Sequence, residues 1–133
     1  MTEQITPEYN ITIFGVGALG TLFGSRLHNL ANVTLFGHWP EQLAAIRREG
    51  VLVTHPDGSQ SRHHLRVTNT LAGVPPADFA LILVKSYQTR NAARQAAKIL
   101  RPDGLALTLQ NGLGNLELLA RAVGPQRAAL GIT

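Results

Sequence analysis

The sequence predicts an α/β domain of the doubly wound kind: a mostly parallel sheet with helices on both faces and one small antiparallel hairpin inserted. Three observations predict it. Short β-prone apolar runs alternate with amphipathic helical segments through short loops. Two of the runs, Phe79–Val84 and Leu105–Leu109, are uninterrupted, as in strands covered on both faces. The 133 residues, 44% hydrophobic and 15% charged, suit one domain with its own core.

Residues 1–8 are polar, contain Pro7 and read as a flexible leader. From Tyr9 the chain becomes apolar and β-prone and stops at Gly15, a first strand. Ala18 to Leu30 reads as a helix, because Leu19, Leu22, Phe23, Leu27 and Leu30 fall along one face. Asn32 to Phe36 is a second strand. Trp39 to Glu49 is a second helix, expected to turn Leu43, Ala44 and Ile46 inward and to stop at Gly50. Val51–Val53 and Leu65–Val67 flank Asp57-Gly58, which favours tight turns, and are expected to pair as a hairpin. After a loop with Pro75-Pro76 come the strand Phe79–Val84, a helix from Gln88 to Leu100 and the strand Leu105–Leu109. A helix from Leu113 to Val123, ended by Gly124-Pro125, leads to a last strand from Ala128 to Ile132. Arg90, Arg94 and Lys98 recur every fourth residue, the pattern of a solvated helix face. No repeat, low-complexity tract or linker interrupts residues 9–133, which read as a single domain.

Composition narrows the function. The absence of cysteine excludes disulfides, thiolate metal sites and thiol nucleophiles together. No apolar stretch approaches the ~18 residues needed to span a bilayer, and no targeting segment is evident, so a soluble cytoplasmic protein is expected, with no membrane partner. The net charge of +4 comes from scattered basic residues, and 1 Trp, 2 Tyr and 4 Phe make no row of stacking platforms, so nucleic acid is not the expected partner. A small anionic ligand accounts for the excess equally well.

The sharpest motif is Gly15-Val16-Gly17-Ala18-Leu19-Gly20, a G-x-G-x-x-G placed after a β-run and opening a helix. There Gly15 allows the tight turn, Gly17 the approach of a pyrophosphate and Gly20 close packing of helix on strand, as in Rossmann-type domains. Free N–H groups around Ala18 and Leu19, at the positive end of the helix dipole, attract the phosphates. NAD-preferring sites place an acid about 20 residues further on. None stands between Tyr9 and Pro40, so NADP is the expected cofactor, with NADPH preferred over NADH. His38, after the second strand, is a donor for its 2′-phosphate and Trp39 a surface for adenine; Arg47 and Arg48 join only if their helix turns them inward. Lys85 and Asn111 follow the next two strands, one a cation for phosphate, ribose or a substrate carboxylate, the other a donor and acceptor for a nicotinamide amide or a substrate hydroxyl. Gly15, His38, Lys85 and Asn111 therefore all sit at strand carboxyl ends, where open parallel sheets bind ligands. His63 and His64 are adjacent on a strand and point to opposite faces, and His55 stands beside Pro56, so no metal site is expected. Ser25, Ser59, Ser61 and Ser86 lack the G-x-S-x-G elbow of a nucleophile.

Taken in order, the glycine motif, Val84-Lys85-Ser86-Tyr87-Gln88 and Gln110-Asn111-Gly112-Leu113-Gly114 resemble the amino-terminal domain of the ketopantoate reductase (2-dehydropantoate 2-reductase) family, and Gly131-Ile132-Thr133 is similar to the start of that family's Gly-Thr-Thr strand. The resemblance covers nearly the whole chain from Tyr9. It implies NADPH-dependent reduction of 2-dehydropantoate, a small 2-keto acid, to pantoate in pantothenate biosynthesis. By position, it implies that Gly15 to Gly20 bind pyrophosphate, that Lys85 lies by cofactor and substrate, and that Asn111 touches the nicotinamide ribose region and the substrate. His38 departs from the arginine this family commonly has for the 2′-phosphate.

The family's general-acid lysine and its substrate-binding glutamate and asparagine belong to a second, helical domain that would follow Thr133. The chain is accordingly expected to hold the dinucleotide without completing turnover. Apolar surface left uncovered by the missing domain predicts self-association. The alternative is a non-catalytic nucleotide-sensing module that regulates a partner. A sensor needs no polar groups on the substrate side, so Lys85 and Asn111 favour the reductase. The missing acid after the second strand argues against a methyltransferase.

Overall fold

The computed structural model describes residues 9–110 and 114–131. Strands β1 (Asn10–Phe14), β2 (Asn32–Phe36), β5 (Arg66–Thr68), β6 (Ala77–Ile82), β7 (Leu100–Thr108) and β8 (Ala128–Leu130) form one parallel sheet in the order β5-β2-β1-β6-β7-β8. Strands β3 (Val51–Thr54) and β4 (Gln60–His63) form a separate antiparallel pair. The helices are α1 (Ala18–Leu27), α2 (Pro40–Glu49), α3 (Thr89–Ile99) and α4 (Asn115–Val123). The chain builds outward from β1 to β2 and β5, then crosses back to lay β6 on the other side of β1. Strand order thus reverses between β1 and β6.

Alternation along the central strands gives the sheet two cores, because successive side chains point to opposite faces. Phe14, Phe36 and Ile82 pack with Ala92, Ala93 and Ala96 of α3 and with Leu119 and Val123 of α4. Their neighbours Ile13, Leu35 and Leu81 pack on the other side with Leu43 and Ile46 of α2. The alanine-rich face of α3 lets that helix lie close to the sheet, and Arg90, Arg94 and Lys98 point to solvent as their spacing predicts.

Several expected details differ. The first helix stops at Leu27 rather than Leu30, and its buried residues are Gly20, Thr21, Gly24 and Ser25; of the expected stripe Phe23 and Leu27 pack against the core only partly buried, while Leu22 is 41% and Leu30 72% exposed. Small side chains win this face because it lies against Leu35 and Leu65, which already fill the space beside Gly24. Ala44 is exposed, since the inward stripe of α2 is carried by Leu43 and Ile46 alone. The hairpin partner of Val51–Thr54 is Gln60–His63, not Leu65–Val67, because the Asp57-Gly58 turn is tight enough for pairing to resume at Gln60. Val67 instead enters the main sheet beside Leu35. The run Phe79–Val84 leaves strand geometry at Ile82, which frees Leu83 and Val84 to form a rim.

The hairpin is held to the end of α1 by a chain of hydrogen bonds that sequence reading misses. His28 Nε2 and His63 Nδ1 lie 2.8 Å apart, His63 Nε2 is 2.8 Å from Ser61 Oγ, and Ser61 Oγ is 2.8 Å from His55 Nε2. Burial, followed by the charges of His28, His55 and Arg26, holds the His63 imidazole below its usual range. The unfolded chain therefore protonates first, near pH 6.5, and stability falls as pH drops below that value. We expect denaturant melts to lose stability between pH 7 and pH 5, and this loss to shrink in His63→Gln. An unchanged pH profile in the variant would remove the chain from the explanation.

Candidate functional site

The switch point between β1 and β6 carries a crevice of about 510 Å³, within the range of about 300–1,000 Å³ usual for small-molecule sites. One wall is the glycine loop. The Gly15 N–H still donates to the Phe36 carbonyl (2.9 Å), the Leu83 N–H donates to that of Phe14 (2.9 Å), and Gln42 Nε2 donates to that of Val16 (2.9 Å), which anchors the loop at both strands and at α2. Gly15 turns at φ +134° with the Leu83 carbonyl 2.8 Å from where a Cβ would stand, so no other residue suits the turn. A Cβ at Gly20 would meet the Gly15 carbonyl oxygen at 2.1 Å. The close approach there is helix to loop rather than helix to strand. Gly17 is different: a Cβ would meet nothing within 4 Å, in a backbone open to any residue. Helix α1 begins at Ala18, so the N–H groups of its first turn lack helical acceptors.

The structure brings Gly15, Val16, Gly17, His38 and Lys85 together on this one crevice. Ala18, Leu19 and Gly20, in the first turn of α1, are not among the residues that line it. His38 lies edge-to-face on Phe36, ring centroids 5.1 Å apart, which fixes its ring at the end of β2. Trp39 and Tyr87, 54% and 80% exposed, add two aromatic surfaces to the lining. The Lys85 ammonium makes no hydrogen bond or ion pair with a described residue, while the Lys85 carbonyl accepts from the Gln88 N–H at 2.8 Å; no acidic residue lines the crevice among the described residues. Asn111 falls outside the described residues. Arg47 donates to the Val67 carbonyl at 3.3 Å and Arg48 pairs with Glu49 at 3.2 Å; neither lines the crevice.

Sequence reading misses Gln88, Asn91 and Gln95, which the turn before α3 and α3 itself present to the crevice. Their spacing at i, i+3 and i+7 was the available signal, since it sets them on one face of a helix beside the basic stripe. Together the described residues of the crevice offer backbone N–H groups at a helix start, the Lys85 ammonium, an imidazole, neutral amides and aromatic faces. That combination suits an elongated anion with a planar base.

Comparison with known proteins reaches the same region. The family described as Ketopantoate reductase PanE/ApbA matches residues 11–133. A 2-dehydropantoate 2-reductase of Halobacterium salinarum is 38% identical over 125 residues, covering 92% of this chain and 41% of that protein. One of Pyrococcus horikoshii is 35% identical over 120 residues, 86% of this chain and 38% of its own length. The chain therefore spans about 40% of these curated relatives. Among solved structures, a PanE/ApbA family ketopantoate reductase of Ralstonia eutropha JMP134 superposes with a TM-score of 0.76 at 28% identity, covering 86% of this chain and 38% of that one. A D-mandelate dehydrogenase solved with NADH and anilino(oxo)acetate superposes at 0.79 with 25% identity, covering 92% and 40%.

Proposed function

Since the chain belongs to the ketopantoate reductase PanE/ApbA family, we propose that residues 9–133 bind NADP(H) across the β1–β6 crevice and form the dinucleotide-holding part of a reductase acting on 2-dehydropantoate or a related small 2-keto acid. The observation that carries this reading is the crevice itself: a glycine loop at the switch point with Gly17 open to it and no acid among its described lining residues. The residues fit the cofactor. A pyrophosphate needs a wall without side chains and unpaired N–H groups, which Gly17 and the first turn of α1 supply. A 2′-phosphate needs the absence of a carboxylate, and His38 supplies a donor at the end of β2, with Lys85 a cation on the same crevice. Bound NADPH would supply the hydride. The roles of the chain are to hold and orient the dinucleotide, with Lys85 reaching toward phosphate or substrate carboxylate and Asn111 toward the nicotinamide end.

Hydride addition to a ketone also needs an acid within hydrogen-bond reach of the developing alkoxide. Lys85 and Asn111 are assigned to binding, so residues 1–133 by themselves are not expected to complete the reduction. The cofactor preference is tested at His38. Replacing it by arginine should raise the ratio of NADPH to NADH affinity roughly tenfold, because a guanidinium grips a phosphate with two hydrogen bonds. An unchanged ratio by calorimetry would place the 2′-phosphate elsewhere.

A further inference from the structure

We propose that Gln110 is a positioning residue: its single amide clamps both ends of the Lys85–Gln88 segment and so sets the cationic rim of the crevice. The inference rests on the dinucleotide reading for its consequence, though its geometry stands apart from it. Gln110 Nε2 donates to the Val84 carbonyl. Its Oε1 accepts from Thr89 Oγ1 at 2.7 Å, where α3 begins, and from Thr108 Oγ1 at 3.1 Å, where β7 ends. The Gln110 backbone N–H returns to Thr108 Oγ1 at 3.3 Å. Thr89 and Thr108 are both fully buried, so the anchors are rigid.

The amide has one workable orientation, since reversing it would set its oxygen against the Val84 carbonyl oxygen. The peptide plane that carries the Val84 carbonyl also carries the Lys85 nitrogen. Holding that carbonyl therefore fixes the direction in which Lys85 leaves the sheet. Holding Thr89 fixes the start of α3, and with it Gln88 and Asn91 on the crevice wall. Between the two anchors lies only the single 3-10 turn Ser86–Gln88, which packs little of its own surface.

The discriminating variant is Gln110→Glu, nearly the same in shape. Its carboxylate keeps the two threonine bonds but turns an oxygen, not a donor, toward Val84. The groups it touches, Thr89, Thr108 and the Val84 carbonyl, carry no charge; Lys85 is the charged neighbour along the segment. At pH 8 we expect NADPH to bind roughly tenfold more weakly than to wild type, and Lys85→Ala to cost less in this background than alone. As pH falls and the carboxyl takes up a proton, its O–H can donate to Val84, so affinity relative to wild type should return. A general loss of packing would not recover in this way. In the ligand-free protein, amide hydrogen exchange over residues 84–89 should rise in Gln110→Glu at pH 8. Exchange and NADPH affinity both equal to wild type would overturn the clamp while leaving the dinucleotide reading intact. Faster exchange in a chain whose wild type fails to bind NADPH would support the clamp and sink the reading on which its consequence rests.

Discussion

Gly17→Val is expected to leave the fold as it is and to weaken NADPH binding at least ~100-fold, a loss of roughly 2.7 kcal/mol. The two halves of this result follow from one observation. Gly17 has extended backbone that valine adopts readily, and its missing Cβ points where no atom stands within 4 Å. The new side chain therefore strains nothing in the free protein, and Tm should move by no more than about 2 °C. It occupies instead the space that a pyrophosphate must enter to reach the N–H groups of the first turn of α1. Calorimetric titration paired with a thermal melt checks both halves, and a variant that binds as wild type does would remove the glycine loop from the site.

Gly20→Ala is expected to do the opposite kind of damage. A Cβ there would stand 2.1 Å from the Gly15 carbonyl oxygen, which is backbone already tied to the end of β1 and cannot swing aside as a flexible side chain would. Relief requires moving α1 off the loop, with its buried Gly24 and Ser25 face. Overpacking of this kind costs about 3 kcal/mol or more, a Tm loss of roughly 10 °C in a domain of this size. Folded protein that remains should also bind NADPH more weakly, because the shift carries the first-turn N–H groups of α1 away from Gly17, so the melt is what distinguishes this variant from Gly17→Val. A Tm within 2 °C of wild type would contradict the close approach of helix and loop. The two variants thus separate a glycine kept for the ligand from one kept for the fold, within a single six-residue motif.

Much of this architecture is legible in the residues. Ile13-Phe14, Leu35-Phe36 and Leu81-Ile82 each send one side chain to either core, and such doubled apolar positions mark strands buried on both faces. The strand ends at Gly15, His38 and Lys85 are legible too, because glycine and polar residues interrupt apolar runs where a parallel sheet exposes its carboxyl edge. The hairpin partner is not, since Leu65 and Val67 are equally suited to a hairpin strand and to a sheet edge, and periodicity is blind to which neighbour a strand pairs with. The buried face of α1 is misread for a different reason. Hydrophobicity points to its leucines, whereas close packing on Leu35 selects Gly20, Gly24 and Ser25 for their size. The histidine chain from His28 to His55 and the reach of Gln110 to Val84 depend on tertiary approach between segments more than 25 residues apart, which no local pattern reports.

The claim that the β1–β6 crevice holds a dinucleotide is tested most directly at Trp39, the one tryptophan in the chain, which lines that crevice. Titrating NADPH while following its emission should give a saturable quench in the wild type and none in Gly17→Val at the same concentrations. A wild-type signal that never saturates, or a curve identical in the two proteins, would contradict it.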